Sequence, residues 1–338
     1  MDRFAYIQVE TPAAALAALA RHPQAVIKAG GVDVLDLMKE RIVTPAVVID
    51  ISRVADWGGI AVEPQTGALR LGALTSLAQL AQHTEVQHRW PALGQAMANA
   101  ATPQIRNMAT LGGNLCQRPR CWYFRQETYP CRKKGGSRCF AQAGEHRDHA
   151  IFANYTCTST HPSAAAVPLL AYDAGVEMVD RTGTQRSLPL ARFFVAPERD
   201  VERENVLRPT EFLTAVTVPR PSEADASAYL NFKHKWSFDW PLVEVAVVLR
   251  REAGLVKDAR IVLGAVAPVP FRAQAAEHIL EGRAVDAELA RQAGQAATRG
   301  ATPLAHNEHK VTLLAELVRR TVLKAADQLP AEDEVMVV

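Results

Sequence analysis

The sequence predicts an α+β protein of more than one domain, on three observations. The chain has 338 residues, 48% of them apolar, which is long for one core and comfortable for two or three. Its first part twice repeats a strand–turn–helix order. Its last part reads as antiparallel strands followed by helices.

The elements follow in order. In TPAAALAALARHP (11–23), Thr11 can cap a helix, Pro12 suits its first position and Pro23 lies just beyond its end. AVIKAGG (25–31) reads as a short buried strand that stops at Gly30 and Gly31. VDVLDLMKERI (32–42) places Val34, Leu37, Met38 and Ile42 on one helical face, and AVVIDIS (46–52) is a second strand. GALRLGALTSLAQLAQH (67–83) repeats strand, turn and helix, and PALGQAMANAAT (91–102) is a further helix. From 116 to about 160 the Ala/Leu/Val background gives way to cysteines, aromatics and charges. Loops of that length are functional or disordered, and the aromatics predict an ordered insertion. Residues 161–180 resume helix and strand. A second domain is expected from near 225, with antiparallel strands turning at Ala253 and Gly254 and helices at 270–283, 286–298 and 309–329. The tail 329–338, acidic and then apolar, is expected to be loose or bound to a partner.

Bulk properties narrow the function. A net charge of +2 argues against nucleic acid held by bulk charge. No stretch of eighteen apolar residues occurs, so no membrane span is expected. The N-terminus lacks a signal-peptide layout, so the expectation is cytoplasmic folding, with export only in the company of a partner.

Three motifs carry chemistry. In KAGGVDVL (28–35), Gly30 and Gly31 permit positive φ, and their amides with the next helix start form a phosphate cradle; a plain turn fits equally. TLGGNL (110–115) offers a second glycine pair beside Thr110 and Asn114. Together the pairs fit a dinucleotide whose pyrophosphate is gripped from both sides, although the spacing is not that of G-x-G-x-x-G. The third motif is the cysteine set Cys116, Cys121, Cys131, Cys139 and Cys157. It contains no C-x2-C knuckle of the kind zinc sites use. Four thiolates on one long loop suit a four-iron cluster, and ordinary thiols or disulfides suit the spacing as well. Nearby arginines and lysines would offset an anionic cluster, and Trp122, Tyr123 and Phe124 would exclude water. No acid–base dyad or nucleophile is expected, and His161 is read as structural.

AGGVDVLDLMK, ATPQIRNMATLGGNL, HPSAAAVPLLAYDA, FLTAVTVPRP and FDWPLVEVAVVL occur in an order that resembles the FAD-binding subunits of the xanthine dehydrogenase (molybdenum hydroxylase) family. The resemblance covers nearly the whole chain. It implies a two-lobed FAD-binding domain of the vanillyl-alcohol-oxidase type over 1–222, with lobes at about 1–55 and 56–222 and the insertion 116–160, then a smaller α+β domain over 223–328. It implies that Ile27, Lys28, Ala29, Gly30, Gly31, Val32, Asp33 and Val34 wrap the FAD pyrophosphate and its flanks. Thr110, Gly113 and Asn114 would lie at the flavin side and Ser163 near the cofactor, with Ala164 where an aspartate is common. Lys233 would stand near the flavin, its charge set to stabilise an anionic reduced ring, and Asp239 is a weaker candidate of the same kind.

Within that family the loop RCWYF…YPCRKKGGSRC…CTSTHPS is similar to that of aldehyde oxidoreductase flavin subunits, where it binds a [4Fe–4S] cluster. The implied ligands are Cys121, Cys131, Cys139 and Cys157, with Cys116 a buried thiol beside the FAD motif. The implied function is flavin electron transfer. A large molybdenum-cofactor subunit oxidises the substrate, a small [2Fe–2S] subunit relays electrons, and FAD passes them to an external acceptor. Two alternatives stand beside it: a zinc-stapled, non-catalytic binding module and a stand-alone FAD oxidase.

Overall fold

The computed structural model describes residues 1–235 and 239–330. The expected tail, 329–338, lies outside the described residues from position 331 onward. Among the described residues the fold contains three sheets. In the first, Val26–Lys28 and Ala5–Gln8 both pair in parallel with Val47–Asp50. Helix Pro12–Arg21 buries Ala15, Ala18 and Leu19, and Thr11 Oγ1 accepts the Ala14 amide at 3.2 Å, an N-cap as expected. The next helix, Val34–Lys39, stops short of the predicted Ile42. The chain turns left-handed at Arg41 (φ 57), and the Ile42 amide donates back to the Leu37 carbonyl at 2.9 Å, closing the helix.

The second sheet is antiparallel, in the order Ile60–Val62, Leu69–Gly72, Glu211–Val218, Gly175–Asp180 and Gln185–Pro189. Helices Leu77–Gln82, Pro91–Asn99 and Ala166–Ala171 help build a core around Trp90, Leu93, Met97 and Phe193. The first of these helices opens on a reciprocal capping box between Ser76 and Gln79.

The third sheet pairs Asp225–Lys233, Pro241–Glu252, Leu255–Gly264 and Phe271–Arg272 antiparallel. Its central hairpin turns on Ala253 and Gly254, both left-handed (φ 50 and 81), the geometry that follows the right-handed twist of the strands. Helices Gln274–Leu280, Ala287–Ala297 and His309–Ala325 cover one face and share its core.

The insertion is ordered without a strand. It holds the one-turn helix Trp122–Arg125 and two tight turns, Arg132–Lys134 and Phe140–Gln142. Tyr123, Tyr129 and Phe140 pack ring against ring. Buried Glu204 takes ion pairs from Arg118 and Lys133, both at 2.9 Å. Among the described residues no helix is long and apolar enough to cross a membrane.

Candidate functional site

A cleft of about 450 Å³ opens between the glycine turn after Val26–Lys28, helices Pro103–Met108 and Leu111–Cys116, and strands Asp225–Lys233 and Pro241–Glu252. It is lined by Ile27, Ala29, Gly30, Gly31, Val32, Asp33, Val34, Thr110, Gly113, Asn114 and Lys233, and also by Asp239 and Cys116. Lys28 and Ser163 are not in its wall. The Lys28 ammonium is turned away to Asp50 at 2.9 Å. Burial works against the Asp50 carboxylate, but hydrogen bonds from Tyr6, Lys28 and Ser52 outweigh it and hold the pKa down to about 2.

The turn at Gly30 and Gly31 presses on the second motif. A β-carbon on Gly30 would sit 1.8 Å from the Met108 carbonyl oxygen, and Gly31 is left-handed at φ +80. Among the described residues, the amides of Gly30, Gly31, Val32, Asp33 and Val34 donate to no protein acceptor. Successive unpaired amides of this kind make an anion-binding concavity. The carboxylate of Asp33 is already engaged: it pairs with Arg120 at 2.6 Å and Arg125 at 2.7 Å and accepts the Arg118 amide. It therefore ties the turn to the start of the insertion. Arg120 in turn lies over the Trp240 ring at 4.7 Å, and its Nε is buried without a partner. The sequence assigned Arg120 to the surroundings of the cysteines; the structure puts it in the cleft wall.

The second glycine pair does different work from that expected. The amides of Leu111 and Gly112 donate to the Thr75 and Ala73 carbonyls, and the Asn114 amide to the Thr110 carbonyl. The Gly113 amide is bound by Thr110 Oγ1 at 3.2 Å. All four are spent inside the chain, so free amides are offered by the first turn and not by this one. What this turn gives the cleft is close packing and the Asn114 side chain. Asn114 Oδ1 accepts from Ser163 Oγ at 2.7 Å and from the Ala165 amide at 3.1 Å. Ser163 thus stands one layer behind the wall and orients Asn114.

The wall from the third sheet holds a group that sequence reasoning missed. Glu244 is buried, and Tyr229 donates its hydroxyl to Glu244 Oε2 at 2.5 Å. Asn231 donates to the same hydroxyl at 3.3 Å. Burial pushes the Glu244 pKa up to about 7. Half-buried Lys233, whose pKa is lowered first by desolvation, donates to the Asn99 carbonyl at 2.8 Å. One signal was available: Glu244 is the single charge inside the apolar run 242–249.

The cysteines are all free thiols. Cys121, Cys139 and Cys157 lie within electrostatic reach of one another, and Cys121 and Cys131 within reach of Lys134. Burial pushes Cys121 up to about 12. Yet each of three thiols faces another partner: Cys121 lies 3.2 Å from His149 Nε2, Cys139 3.5 Å from Thr158 Oγ1 and Cys157 3.2 Å from Ser159 Oγ. Among the described residues no three His, Cys, Asp or Glu side chains converge as a metal site. The expected ligands are neighbours here and not a closed ligand set. Cys116 is pushed up to about 12 by burial, an inert thiol beside the second glycine pair.

Known proteins resemble the chain along its length. A family model described as the FAD binding domain in molybdopterin dehydrogenase matches residues 2–221, and one described as the CO dehydrogenase flavoprotein C-terminal domain matches 227–325. The aldehyde oxidoreductase FAD-binding subunit PaoB of Escherichia coli (strain K12) is 36% identical over 336 residues, covering 96% of this chain and 99% of that protein. The xanthine dehydrogenase FAD-binding subunit of Escherichia coli O157:H7 is 25% identical over 329 residues, 96% of each. A solved carbon monoxide dehydrogenase from Hydrogenophaga pseudoflava superposes with a TM-score of 0.76 at 26% identity, covering 97% of this chain and 99% of that one.

Proposed function

The chain belongs to the FAD-binding family of the molybdopterin dehydrogenases, and from that premise we propose that it is the electron-transfer flavin subunit of a molybdenum hydroxylase acting on aldehydes. The partners in this reading are a large molybdenum-cofactor subunit, a small [2Fe–2S] subunit and an external electron acceptor. The observation that carries the binding step is the run of unpaired amides over residues 30–34 in a cleft wall. Bound FAD would supply the redox chemistry, accepting electrons and passing them on. The residues do the rest. The amide run and the Arg120 guanidinium hold a diphosphate, Asp33 keeps Arg120 in place, and Ser163 orients Asn114 toward the same cleft. The absence of room at Gly30 brings the two motifs together. In this reading the FAD-binding unit spans 1–222 and the C-terminal unit 223–328.

The [4Fe–4S] cluster at Cys121, Cys131, Cys139 and Cys157 is the further part of this proposal. It rests on the likeness to aldehyde oxidoreductase flavin subunits and on the nearness of the thiols. Their present partners leave the ligand set open, so no electron step is assigned to a cluster. Co-purification from the native source tests the whole reading. The expected preparation contains flavin, molybdenum and iron, and its flavin absorbance bleaches when an aldehyde is added without an acceptor. A native preparation in which the chain carries neither flavin nor a molybdenum-containing partner contradicts it. Replacing Cys139 with serine is expected to lower bound iron and acid-labile sulfide while FAD content is kept.

A further inference from the structure

A grip on a diphosphate does not explain the carboxyl of Glu244. This residue sits in the middle of the third sheet, paired across to Asn231 on one side and Gly264 on the other. Gly264 makes space for it: a β-carbon there would meet Glu244 Cβ and Cδ at 3.1 Å. Buried carboxylates cost several kcal/mol unless a cation meets them. Among the described residues none touches this one. Lys233 is held by the Asn99 carbonyl. Lys310, on helix His309–Ala325, divides its ammonium among the carbonyls of Asp148, His149 and Ala265. Both lysines act on Glu244 only through space. Arg106 and Asp239 act on Lys233 in opposite senses. An apolar residue at 244 would fold more readily, so the acid at a ligand cleft points to work done there.

We propose that Glu244, held by Tyr229, faces the isoalloxazine ring of bound FAD and takes up a proton when that ring is reduced. This rests on the FAD reading above. The ring gains two electrons from the upstream redox partner together with its own ring proton. The negative charge it acquires favours the neutral carboxylic acid, so one further proton passes from water to the Glu244 carboxylate. Two electrons then enter with one more proton than the ring alone takes.

The test is the midpoint potential of the bound flavin as a function of pH, on the FAD-loaded chain titrated with dithionite and dye mediators. The wild type is expected to show a segment on the alkaline side of neutrality that is steeper by up to ~30 mV per pH unit, one extra proton per electron pair. Glu244→Gln is expected to lack that extra slope. Tyr229→Phe removes a hydrogen bond that lowers the Glu244 pKa, so it is expected to keep the steep segment and shift it to higher pH. A merely structural glutamate moves neither curve. Wild type and Glu244→Gln running parallel overturn the proposal while the FAD reading stands. Should Glu244→Gln not fold, a Tyr229→Phe curve that superimposes on wild type overturns it equally. A wild-type chain that holds no FAD overturns the earlier reading, and this one with it.

Discussion

Gly30 has no room for a β-carbon, because the Met108 carbonyl oxygen already occupies that position. Gly30→Ala must push two backbones apart, and overpacking of this kind costs about 1–3 kcal/mol. Thermal unfolding of the purified variant is expected to show that loss. Glu244 carries a pH dependence of its own. Its pKa rises on folding from 4.5 to about 7. As pH climbs through that window, the unfolded chain has released the proton and the native chain still holds it. Stability therefore falls across the window and levels above it, by about 1.4 kcal/mol per unit of separation. Urea unfolding of the FAD-free chain at both ends of the window is expected to show this fall in wild type and its absence in Glu244→Gln. The two residues differ in how far the sequence exposed them. A glycine pair after a buried strand announces itself. Glu244 looks like one polar residue on a strand; its meaning comes from Tyr229 and Gly264 on the neighbouring strands, which only the pairing brings together.

Among the elements, the hairpin at Ala253 and Gly254 and the capped helix after Thr11 were legible because local chemistry decides them. The order of the insertion was legible in its aromatics, which pack ring against ring; what anchors it was not, because those residues lie far along the chain. Glu204 anchors Arg118 and Lys133, and Lys310 gathers the carbonyls of Asp148, His149 and Ala265 at 3.2, 2.9 and 2.7 Å. Asn307 adds bonds to the His149 and Ala150 carbonyls. The end of the insertion is thus pinned to the third sheet and its last helix. Lys310→Met leaves those carbonyls without their donor and is expected to cost about 1–3 kcal/mol. Amide hydrogen exchange is expected to speed up over residues 146–150 and stay unchanged in Pro12–Arg21. Uniform exchange across both segments contradicts the pin. The thiols show the limit of spacing as a guide: it suited a cluster and ordinary thiols alike, and it did not reveal that His149, Thr158 and Ser159 face three of the cysteines.

On the scale of the whole molecule, the cleft is assembled from parts that are distant in sequence: a turn near residue 30, a helix start near 110 and strands beyond 225. The class of fold could be read from the order of elements. The placement of Glu211–Val218 between Leu69–Gly72 and Gly175–Asp180 could not, because nothing local selects those neighbours. A ligand that bridges all three parts stabilises the assembly by mass action, about 2.7 kcal/mol at a hundredfold excess over its Kd. FAD is therefore expected to raise the unfolding midpoint in a concentration-dependent way. The most direct measurement is a titration of the folded, cofactor-free chain with FAD, followed by quenching of flavin fluorescence, in wild type and in Gly31→Val. A valine at the left-handed Gly31 (φ +80) distorts the amide run. The account predicts saturable, equimolar binding to wild type and affinity weakened at least about tenfold, ~1.4 kcal/mol, in the variant. A folded wild-type chain that leaves FAD fluorescence unchanged, or a Gly31→Val chain that binds as tightly, contradicts it.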